Sequence, residues 1–539
     1  MVAPRTWGML VAGVFAGAVS PSCMLGNIHP EACAGDADCE ALFGLGSTCN
    51  ADGYCSAAAG CATSVECRAQ FGVGAACEAG SCVVAPAEPR CSLSEPESLV
   101  DDLPGRLGDR IVLGGMFAID SEKHRVRADA ARLAVRQINE IAGGVSGRPL
   151  GLLVCNSDTD GDPANDEEEV RGLTSYLAGT LGLPAVLGPT SSANSITATN
   201  WLLQQQIATA LISPSATSNQ LTDLPDRLSA GDPHGLFWRT CPSDTLQGPV
   251  LAQVIAAETG LTEVPAGLDR VAVLYQNDAY GSALQVEFRS QFLALDEGAH
   301  DVGGFSFAVG LADLEDAVTG AAGFGPDAVL VISSDASRTI DVIERAAQET
   351  ALRTVPYFLT DGSKDAAVLL ATSNAPEVRA IVTRAFGTAP ASPAGPAYNA
   401  FRDELRNQFD ADATQFSFVA HSYDAAFVAA YGVVWAEAVR AAYDGLDVAE
   451  GLAQLSSGDL VSIGPSSFST ALAALGSQQS IDVEGMSGSL DFDAATGEAP
   501  GDIEVWAICD PGADSCSEAP VAGTDLVFEQ LLLVAPAEG

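Results

Sequence analysis

The sequence predicts an α/β fold of parallel sheets that helices cover on both faces, preceded by a small disulfide-rich segment. Two observations support this prediction. From Arg110 onward, short apolar runs typical of buried strands alternate with amphipathic stretches of about 10–15 residues. Before them, nine of the 14 cysteines lie between Cys33 and Cys91. The length of 539 residues is enough for two or three domains.

The N-terminus has the features of an export signal. Arg5 supplies a positive charge, and Trp7–Val19 is an apolar run of 13 residues, which is too short to span a membrane. Small residues then precede Cys23, as in a bacterial lipoprotein signal. We expect residues 1–22 to be a signal peptide and Cys23 to be lipidated; ordinary cleavage near residues 16–22 is the alternative.

Residues 23–92 contain a duplicated cysteine module. The segments CEALFGLGSTC and CRAQFGVGAAC repeat, and four cysteines recur in each copy. Because so short an exported module cannot bury a sufficient core, we expect two disulfides in each copy, with three pairings open. Zinc is the alternative, but the sequence has no CxxC pair and no histidine between Cys33 and Cys82. The disulfide candidates are Cys33, Cys39, Cys49, Cys55, Cys61, Cys67, Cys77, Cys82, Cys509 and Cys516.

Three further cysteines have open assignments. Cys91 is a candidate for having no internal partner, and Cys155 and Cys241 form a candidate pair. A stretch rich in Pro, Ser and acids indicates a linker over residues 93–108, and residues 511–539 are expected to be a C-terminal extension.

Strands and helices follow one another in a regular order after the linker. The predicted strands are Arg110–Met116, Leu150–Cys155, Ala185–Gly188, Ala208–Ile212, Arg270–Tyr275, Ala328–Ser333 and Pro356–Leu359. The predicted helices are Ala128–Ile141, Asp166–Leu177, Ser195–Gln205, Leu246–Glu258, Ser282–Leu295 and Ala336–Glu349. Because ligands bind beyond the carboxyl ends of the strands in such sheets, functional residues are expected there.

The charge excludes several classes of partner. The 70 acidic residues outnumber the 25 basic residues, and the net charge is −45. Such a surface repels phosphate backbones and anionic lipids, so we expect no nucleic-acid partner and no membrane contact except through a lipid anchor. The acidity is best explained by coding bias and a salty habitat, where a high net charge keeps a protein soluble.

The segment AVRQINEIAGGVSGRPL, Ala134–Leu150, connects an amphipathic helix through a double glycine to a strand. It resembles the most specific signature of the leucine/isoleucine/valine-binding proteins of bacterial ABC transporters. Other segments resemble that family in the same order, among them IVLGGMFAI, AVLGPTSSANSITA, VAVLYQNDAYGSAL and GMSGSLDFDAATGE. The resemblance extends from about Asp109 to Ile508, roughly three quarters of the chain.

The resemblance implies a type I periplasmic-binding fold, in which two doubly wound parallel-sheet lobes are joined by a three-strand hinge and close over a ligand. The implied first lobe comprises residues 109–243 and 386–480, and the implied second lobe comprises residues 244–385 and 481–510. The implied hinges lie near Asp244, near residue 385 and near residue 480.

Two loops of the first lobe match the family's contacts to an amino-acid carboxylate. The resemblance implies contacts from Ser191 and Ser192 at a helix N-terminus, where N–H groups and partial positive charge favour an anion. It also implies contacts from Ser215, Ala216 and Thr217, with Thr217 at the family's hydroxyl position and Ser215 at a backbone-carbonyl position. The alternative is that these residues are ordinary helix N-caps.

Two residues of the second lobe match other family contacts. Asp361 lies where the family places an acid against the ligand's ammonium group, a role that suits a carboxylate. Tyr280 matches an aromatic residue that lines the cleft. The alternatives are a turn aspartate before Gly362 and a tyrosine that only packs.

Two loops depart from the family pattern. Residues 117–124 replace a glycine-rich loop, and Ser333–Asp335 replaces a segment that often holds an aromatic residue. Because these loops shape the family's side-chain pocket, we expect Asp335 to contact the ligand. The departures also imply a ligand more polar than leucine, or one that is not a branched-chain amino acid.

Metal and enzyme interpretations have less support. The acidic run Asp158–Asp162 fits a calcium loop only in part, since Pro163 stands where the loop needs glycine. We therefore expect no metal, with calcium as the alternative. The sequence has no GxSxG, HExxH or P-loop motif, and its five histidines are scattered, so we expect no enzyme activity and no cofactor.

These expectations combine into one function. We expect an exported, lipid-anchored solute-binding protein that captures an amino acid or a similar small polar ligand for an ABC permease. The alternative is an orphan ligand-sensing or adhesion-type surface lipoprotein with the same fold and no transporter, which the cysteine modules favour.

Overall fold

The computed structural model describes most of the chain. It covers residues 32–102, 110–159, 166–296, 298–391, 394–512, 516 and 523–535. The predicted signal peptide and its lipidation site, Cys23, lie outside these residues, as does part of the acidic run Asp158–Asp162. Among the helices that are described, none has the length and apolar character needed to cross a bilayer.

Two copies of a small disulfide-bonded unit form the N-terminal segment, and each copy has one short helix followed by a hairpin. The elements are α1 (Asp36–Phe43), β1 (Thr48–Cys49), β2 (Cys55–Ser56), α2 (Ser64–Phe71), β3 (Ala75–Glu78) and β4 (Ser81–Val84). The bridges are Cys33–Cys49, Cys39–Cys55, Cys61–Cys77 and Cys67–Cys82. Two disulfides per copy are confirmed, and the first cysteine pairs with the third while the second pairs with the fourth.

Cys91 is bonded to Cys155, which corrects two expectations. Cys91 has an internal partner, and Cys155 does not pair with Cys241, which is buried and free. The reason is a strand within the expected linker. This strand, β5 (Leu93–Glu95), pairs antiparallel with the strand that contains Cys155 and brings the two cysteines together. A short helix, α3 (Leu99–Asp102), follows within the same segment.

The first sheet is parallel except at its edge. Its elements after α3 are β6 (Ile111–Phe117), α4 (Glu122–Ala142), β7 (Leu150–Asn156), α5 (Asp166–Thr174), β8 (Ala185–Leu187), α6 (Ser192–Gln205), β9 (Ala210–Ser213) and β10 (Phe237–Arg239). The strand order is β10-β9-β8-β6-β7-β5, with only β5 antiparallel to its neighbour. Every residue of β6 and β7 is buried, as expected for strands covered on both faces.

The double glycine of the Ala134–Leu150 segment ends α4 and turns the chain into β7. Gly143 is the left-handed C-cap of α4, with a φ of 69°. Gly144 has a φ of 95°, and a Cβ there would lie 1.9 Å from the carbonyl oxygen of Arg148. Only glycine fits such a close approach, which explains the motif as a requirement of the fold.

The second sheet begins after the chain leaves β10. Its elements are α7 (Asp244–Ile255), β11 (Arg270–Gln276), α8 (Gly281–Leu295), β12 (Asp301–Phe307), α9 (Leu314–Phe324), β13 (Ala328–Ile332), α10 (Ala336–Ala346), α11 (Thr350–Arg353), β14 (Tyr357–Leu359), α12 (Ala366–Leu370), α13 (Pro376–Val382) and β15 (Ala385–Pro390). All seven predicted strands and all six predicted helices are thus present in the two lobes, with ends shifted by up to six residues.

The chain then returns to the first lobe before it ends in the second. The returning elements are α14 (Pro396–Phe409), α15 (Val419–Val439), α16 (Gly445–Leu452), β16 (Asp459–Ser462), α17 (Phe468–Gly476) and β17 (Ile481–Glu484). The last two strands are β18 (Ile503–Cys509), which pairs antiparallel with β15, and β19 (Val527–Val534), which pairs antiparallel with β18. The strand order of the second sheet is β12-β11-β13-β14-β15-β18-β19. The predicted bridge Cys509–Cys516 follows β18.

The third crossing between the lobes lies further along the chain than the resemblance implies. Ile481 and Val483 of β17 are buried in the core of the first lobe, and Ala499 belongs to the same cluster. The chain therefore crosses near Asp502 rather than near residue 480. In addition, β19 places residues 527–534 of the expected C-terminal extension within the second sheet.

The three crossings lie side by side and form the hinge. The backbone N–H of Ala391 donates to the carbonyl of Asp502 at 2.8 Å, and the N–H of Ala499 donates to the carbonyl of Arg239 at 3.3 Å. Two doubly wound lobes joined in this way match the predicted fold class.

Candidate ligand-binding cleft

A cavity of about 480 Å³ lies between the lobes, beyond the carboxyl ends of strands from both sheets. Seven of the eight predicted ligand contacts line this cavity, whereas Ala216 does not. They are Ser191, Ser192, Ser215, Thr217, Tyr280, Asp335 and Asp361. The first four follow β8 and β9 of the first lobe, and the last three follow β11, β13 and β14 of the second lobe. Parallel strands thus deliver distant parts of the sequence to one place.

The N-terminus of α6 faces the cavity from the first lobe. Ser191 is its N-cap, and the Ser191 hydroxyl accepts a hydrogen bond of 3.2 Å from the N–H of Asn194. Ser192 begins the helix, and its hydroxyl accepts a hydrogen bond of 3.2 Å from the N–H of Ser218. The hydroxyl of Ser191 therefore serves as an ordinary N-cap. The N-terminus of α6 still presents partial positive charge to the cavity.

The loop after β9 supplies a second set of polar groups. The Ser215 hydroxyl donates to the carbonyl of Thr190 at 2.8 Å, so its hydrogen is already used. The Thr217 hydroxyl is buried, lines the cavity and lies beside the Asp244 carboxyl, whose pKa it acts to lower against the larger effect of burial. Ala216 belongs to the same loop but is fully buried away from the cavity lining, and its carbonyl accepts a hydrogen bond from Arg239. Thr217 is therefore the side chain of this loop that is best placed to bind a ligand.

Arg239, which no sequence motif singles out, holds this loop in place. Its side chain is fully buried, and Nη1 donates to the carbonyls of Ala216 and Ser218 at 2.9 and 3.0 Å. Its Nη2 donates to the Thr222 hydroxyl at 3.2 Å and pairs with Glu498 beside the third crossing. One guanidinium thus connects the contact loop to the hinge.

Asp361 forms the polar centre of the second lobe's side of the cleft. The Tyr280 hydroxyl donates to Asp361 Oδ1 at 2.6 Å, and Gln247 Nε2 donates to the same oxygen at 3.1 Å. Burial raises the pKa of Asp361 despite these two hydrogen bonds. Burial also raises the pKa of Tyr280, as do the negative charges of Asp361 and Asp244. A buried carboxylate in this setting favours a cationic ligand group beside it.

Asp335 has a different environment from Asp361. It is the N-cap of α10, and its Oδ1 accepts a hydrogen bond of 2.7 Å from the N–H of Ser337. Burial raises the pKa of Asp335, but the charge of Lys123 and the Ser337 hydrogen bonds outweigh it and hold the pKa at about 2. Asp335 is therefore a negative charge at the edge of the cavity that the protein itself already compensates.

Three basic residues at the start of α4 lie at the cleft: Lys123 and His124, which belong to the loop expected to shape the pocket, and Arg127, which was not predicted there. The sequence pattern predicts that this helix begins at Ala128, whereas it begins at Glu122, so residues 122–127 form its first turns. His124 and Arg127 line the cavity, and the Lys123 ammonium reaches the second lobe. The departure of residues 117–124 from the family pattern was the signal in the sequence that pointed to this place.

A family model described as periplasmic binding protein matches residues 121–502. The comparison with curated protein sequences gave no match.

Several solved structures have the same fold at low sequence identity. A leucine-binding protein from Thermotoga maritima is 16% identical with a TM-score of 0.58, over 79% of this chain and 99% of its own. A branched-chain amino acid binding protein from Streptococcus pneumoniae, in complex with isoleucine, is 18% identical with a TM-score of 0.53, over 74% and 96%. A solute-binding protein from R. palustris, in complex with 4-hydroxybenzoate, is 14% identical with a TM-score of 0.57, over 79% and 97%.

Proposed function

The chain belongs to the periplasmic binding protein family, and from that premise we propose that it is an extracytoplasmic solute-binding protein that captures an amino acid between its two lobes for ABC-type import. In this proposal the protein catalyses no reaction. Its work is to close around the ligand and to present the closed form to a permease.

The single observation that carries the proposal is the pairing of unlike groups across one cavity. Ser192 and Thr217 of the first lobe lie at a helix N-terminus and a contact loop, which suit a carboxylate. Asp361 of the second lobe is a buried carboxylate, which suits an ammonium group. A ligand that carries both charged groups on one carbon would be held by both lobes and would favour the closed form.

The ligands of the related structures support part of this assignment. Leucine, isoleucine and 4-hydroxybenzoate are named with those proteins, and all three carry a carboxylate. Only the amino acids also carry an ammonium group, and Asp361 favours them for this chain. The cavity volume of about 480 Å³ lies in the range of small-molecule sites, so a larger polymeric ligand is disfavoured.

An orphan surface lipoprotein that senses its ligand without a transporter is the second candidate. The disulfide-bonded N-terminal segment favours it, because Arg68 of that segment donates to the carbonyls of Gly179 and Thr180 and so fixes the segment on the first lobe. The gene neighbourhood separates the two: adjacent permease and ATPase genes, and ligand-dependent ATP hydrolysis when the protein is reconstituted with their products, support import, whereas their absence supports the second candidate.

Isothermal titration with leucine, glutamine, glutamate and 4-hydroxybenzoate tests the binding site. We expect an amino acid to bind and Asp361→Asn to weaken it by roughly 30-fold or more, since truncating a buried charge contact costs about 2–5 kcal/mol. The matched control is Asp316→Asn on α9, which is exposed in the same lobe. Equal affinity in both variants, or tighter binding of 4-hydroxybenzoate than of any amino acid, contradicts the proposal.

A further inference from the structure

Arg127 is a buried cation on the wall of the cleft. It lies in the first two turns of α4, only 3% of its surface is exposed, and it lines the cavity. Its Nε donates to the carbonyl of Ser417 at 3.0 Å, and its Nη2 donates to the Ser417 hydroxyl at 3.1 Å. The Phe418 ring covers the guanidinium at 4.9 Å. The protein thus fixes one edge and one face of this group and leaves it beside the cavity.

The charge of Arg127 is not neutralised by a direct ion pair. Among the residues that the structure describes, its hydrogen bonds go to the backbone and hydroxyl of one serine, and the acids around it, Asp361, Asp365 and Asp335, act on it only over a distance. Burial lowers the pKa of Arg127 to about 10. A buried unpaired charge is costly, and a ligand group of opposite charge in the cavity would offset that cost.

His124 provides a second, independent observation at the same place. It lines the cavity one turn before Arg127, and its Nδ1 is buried with no hydrogen-bond partner among the described residues. Burial holds the pKa of His124 well below its usual range, as do the positive charges of Arg127 and Lys123. A neutral imidazole can donate one hydrogen bond, and beside Arg127 the favoured acceptor is an anion.

We propose that Arg127 and His124 form a second anion subsite in the cleft, and that the ligand is an amino acid with an anionic side chain, such as glutamate or aspartate. This inference rests on the proposed function, since it assigns the α-carboxylate to the α6 side and the ammonium to Asp361. The side-chain anion then lies against Arg127. A planar guanidinium with a free edge suits a carboxylate there.

The connection between the two subsites is direct. The Ser417 hydroxyl accepts from Arg127 Nη2 and donates to the backbone carbonyl of Asp361 at 2.9 Å. The anion subsite on the first lobe and the ammonium subsite on the second lobe therefore lie next to each other. A ligand with three charged groups can fill all of them, whereas leucine would leave Arg127 buried against an apolar side chain.

The overall charge does not contradict an anionic ligand. The net charge of −45 lowers the rate of encounter with anions. Its effect is screened beyond a Debye length of about 8 Å at physiological ionic strength, and more strongly at higher salt. The buried guanidinium is screened far less, so selectivity inside the cleft follows Arg127.

Titration calorimetry with glutamate, glutamine and leucine on the folded chain tests the subsite, because glutamate and glutamine differ in charge but hardly in shape. We expect the unaltered protein to bind glutamate at least tenfold more tightly than glutamine, or to bind aspartate at least tenfold more tightly than asparagine. Arg127→Met should remove that preference, and Arg127→Lys should retain part of it. The control is Arg125→Met, an exposed arginine on the same helix that should leave the preference unchanged.

Each outcome has a separate meaning. If the unaltered protein binds glutamine or leucine as tightly as glutamate, the second anion subsite is wrong while the proposed function stands. If Arg127→Met weakens glutamine and glutamate equally, Arg127 holds the α-carboxylate and the subsite is again wrong. If no amino acid binds, the proposed function itself fails. Should Arg127→Met not fold, the preference of the unaltered protein and of Arg127→Lys decides the question.

Discussion

The Lys123 ammonium of the first lobe donates to the carbonyl oxygen of Gly362 in the second lobe at 3.3 Å. It also donates to the carbonyl of Ser334 at 3.3 Å and lies 3.9 Å from a carboxylate oxygen of Asp365. Only 1% of the Lys123 side chain is exposed, so one cation from α4 is enclosed by loops of the opposite lobe. The contact can exist only while the lobes are together.

Lys123→Met should therefore weaken ligand binding by about tenfold, although the Lys123 side chain does not line the cavity. The substitution removes charge-assisted hydrogen bonds worth roughly 1.5–3 kcal/mol from the closed form alone. Calorimetry gives the affinity, and small-angle scattering should give a larger radius of gyration for the variant without ligand. Arg125→Met is the control. An unchanged affinity would mean that Lys123 contributes nothing to closure.

Removal of the Cys91–Cys155 bridge should cost more stability than removal of Cys509–Cys516. The sequence separations are 64 and 7 residues. Loop-closure entropy then predicts losses of about 4 and about 2.5 kcal/mol. Each bridge is removed by replacing both of its cysteines with serine. Urea unfolding then measures the loss of unfolding free energy in each variant, from the transition of the lobe that carried the bridge. The reverse order would show that local contacts outweigh the closure of the longer loop.

The buried His421 on α15 should make the first lobe sensitive to acid. Burial and the charge of Arg127 lower the pKa of His421 to about 3. Because the unfolded value is about 6.5, the full contribution to stability is present above pH 6.5 and is lost as the pH falls toward 3. Between pH 7.5 and 5 this loss amounts to about 2 kcal/mol.

The variant His421→Leu isolates that contribution. Leucine is apolar and does not titrate, and His421 Nδ1 has no hydrogen-bond partner to lose among the described residues. The difference in unfolding free energy between the two proteins should therefore shift by about 2 kcal/mol in favour of the leucine variant when the pH is lowered from 7.5 to 5. A difference that stays constant across this range contradicts the prediction.

Arg239→Lys should weaken ligand binding more than its position behind the cleft suggests. Lysine cannot reproduce the fork that reaches Ala216, Ser218 and Thr222 at once. We expect a loss of affinity of about tenfold or more, because Thr217 lies within the loop that Arg239 holds. Calorimetry measures the loss, and the exposed Arg227→Lys is the matched control. Equal affinities for the two variants would remove Arg239 from the binding machinery.

The parts of the fold that follow from local pattern could be predicted. The run IVLGGMF is apolar throughout because β6 is covered on both faces, and the glycine pair after α4 is required by a positive φ. Strands that depend on distant partners were missed. Leu93–Glu95 becomes a strand only because β7 offers an edge to it, and Val527–Val534 depends in the same way on β18.

The candidate site was predictable where family motifs place residues at strand ends. Ser192, Thr217 and Asp361 follow short apolar strands that the pattern identifies. Arg127 and Arg239 were missed because they lie inside regular elements, where an arginine is usually a surface residue. Their roles depend on tertiary burial, which periodicity does not report. The predicted pairing of Cys155 with Cys241 was wrong for a related reason, because the pairing of β5 with β7 places Cys155 beside Cys91 instead.

The N-terminal segment is fastened to one lobe, through the Cys91–Cys155 bond and the contact of Arg68 with Thr180. If the chain is held at its N-terminus, the first lobe is therefore held with it, and closure moves the second lobe about the hinge. Tyr54 in the segment and Val286 on α8 are 43% and 62% exposed. Energy transfer between dyes attached at these two positions would report the opening and closing of the second lobe relative to the first in single molecules.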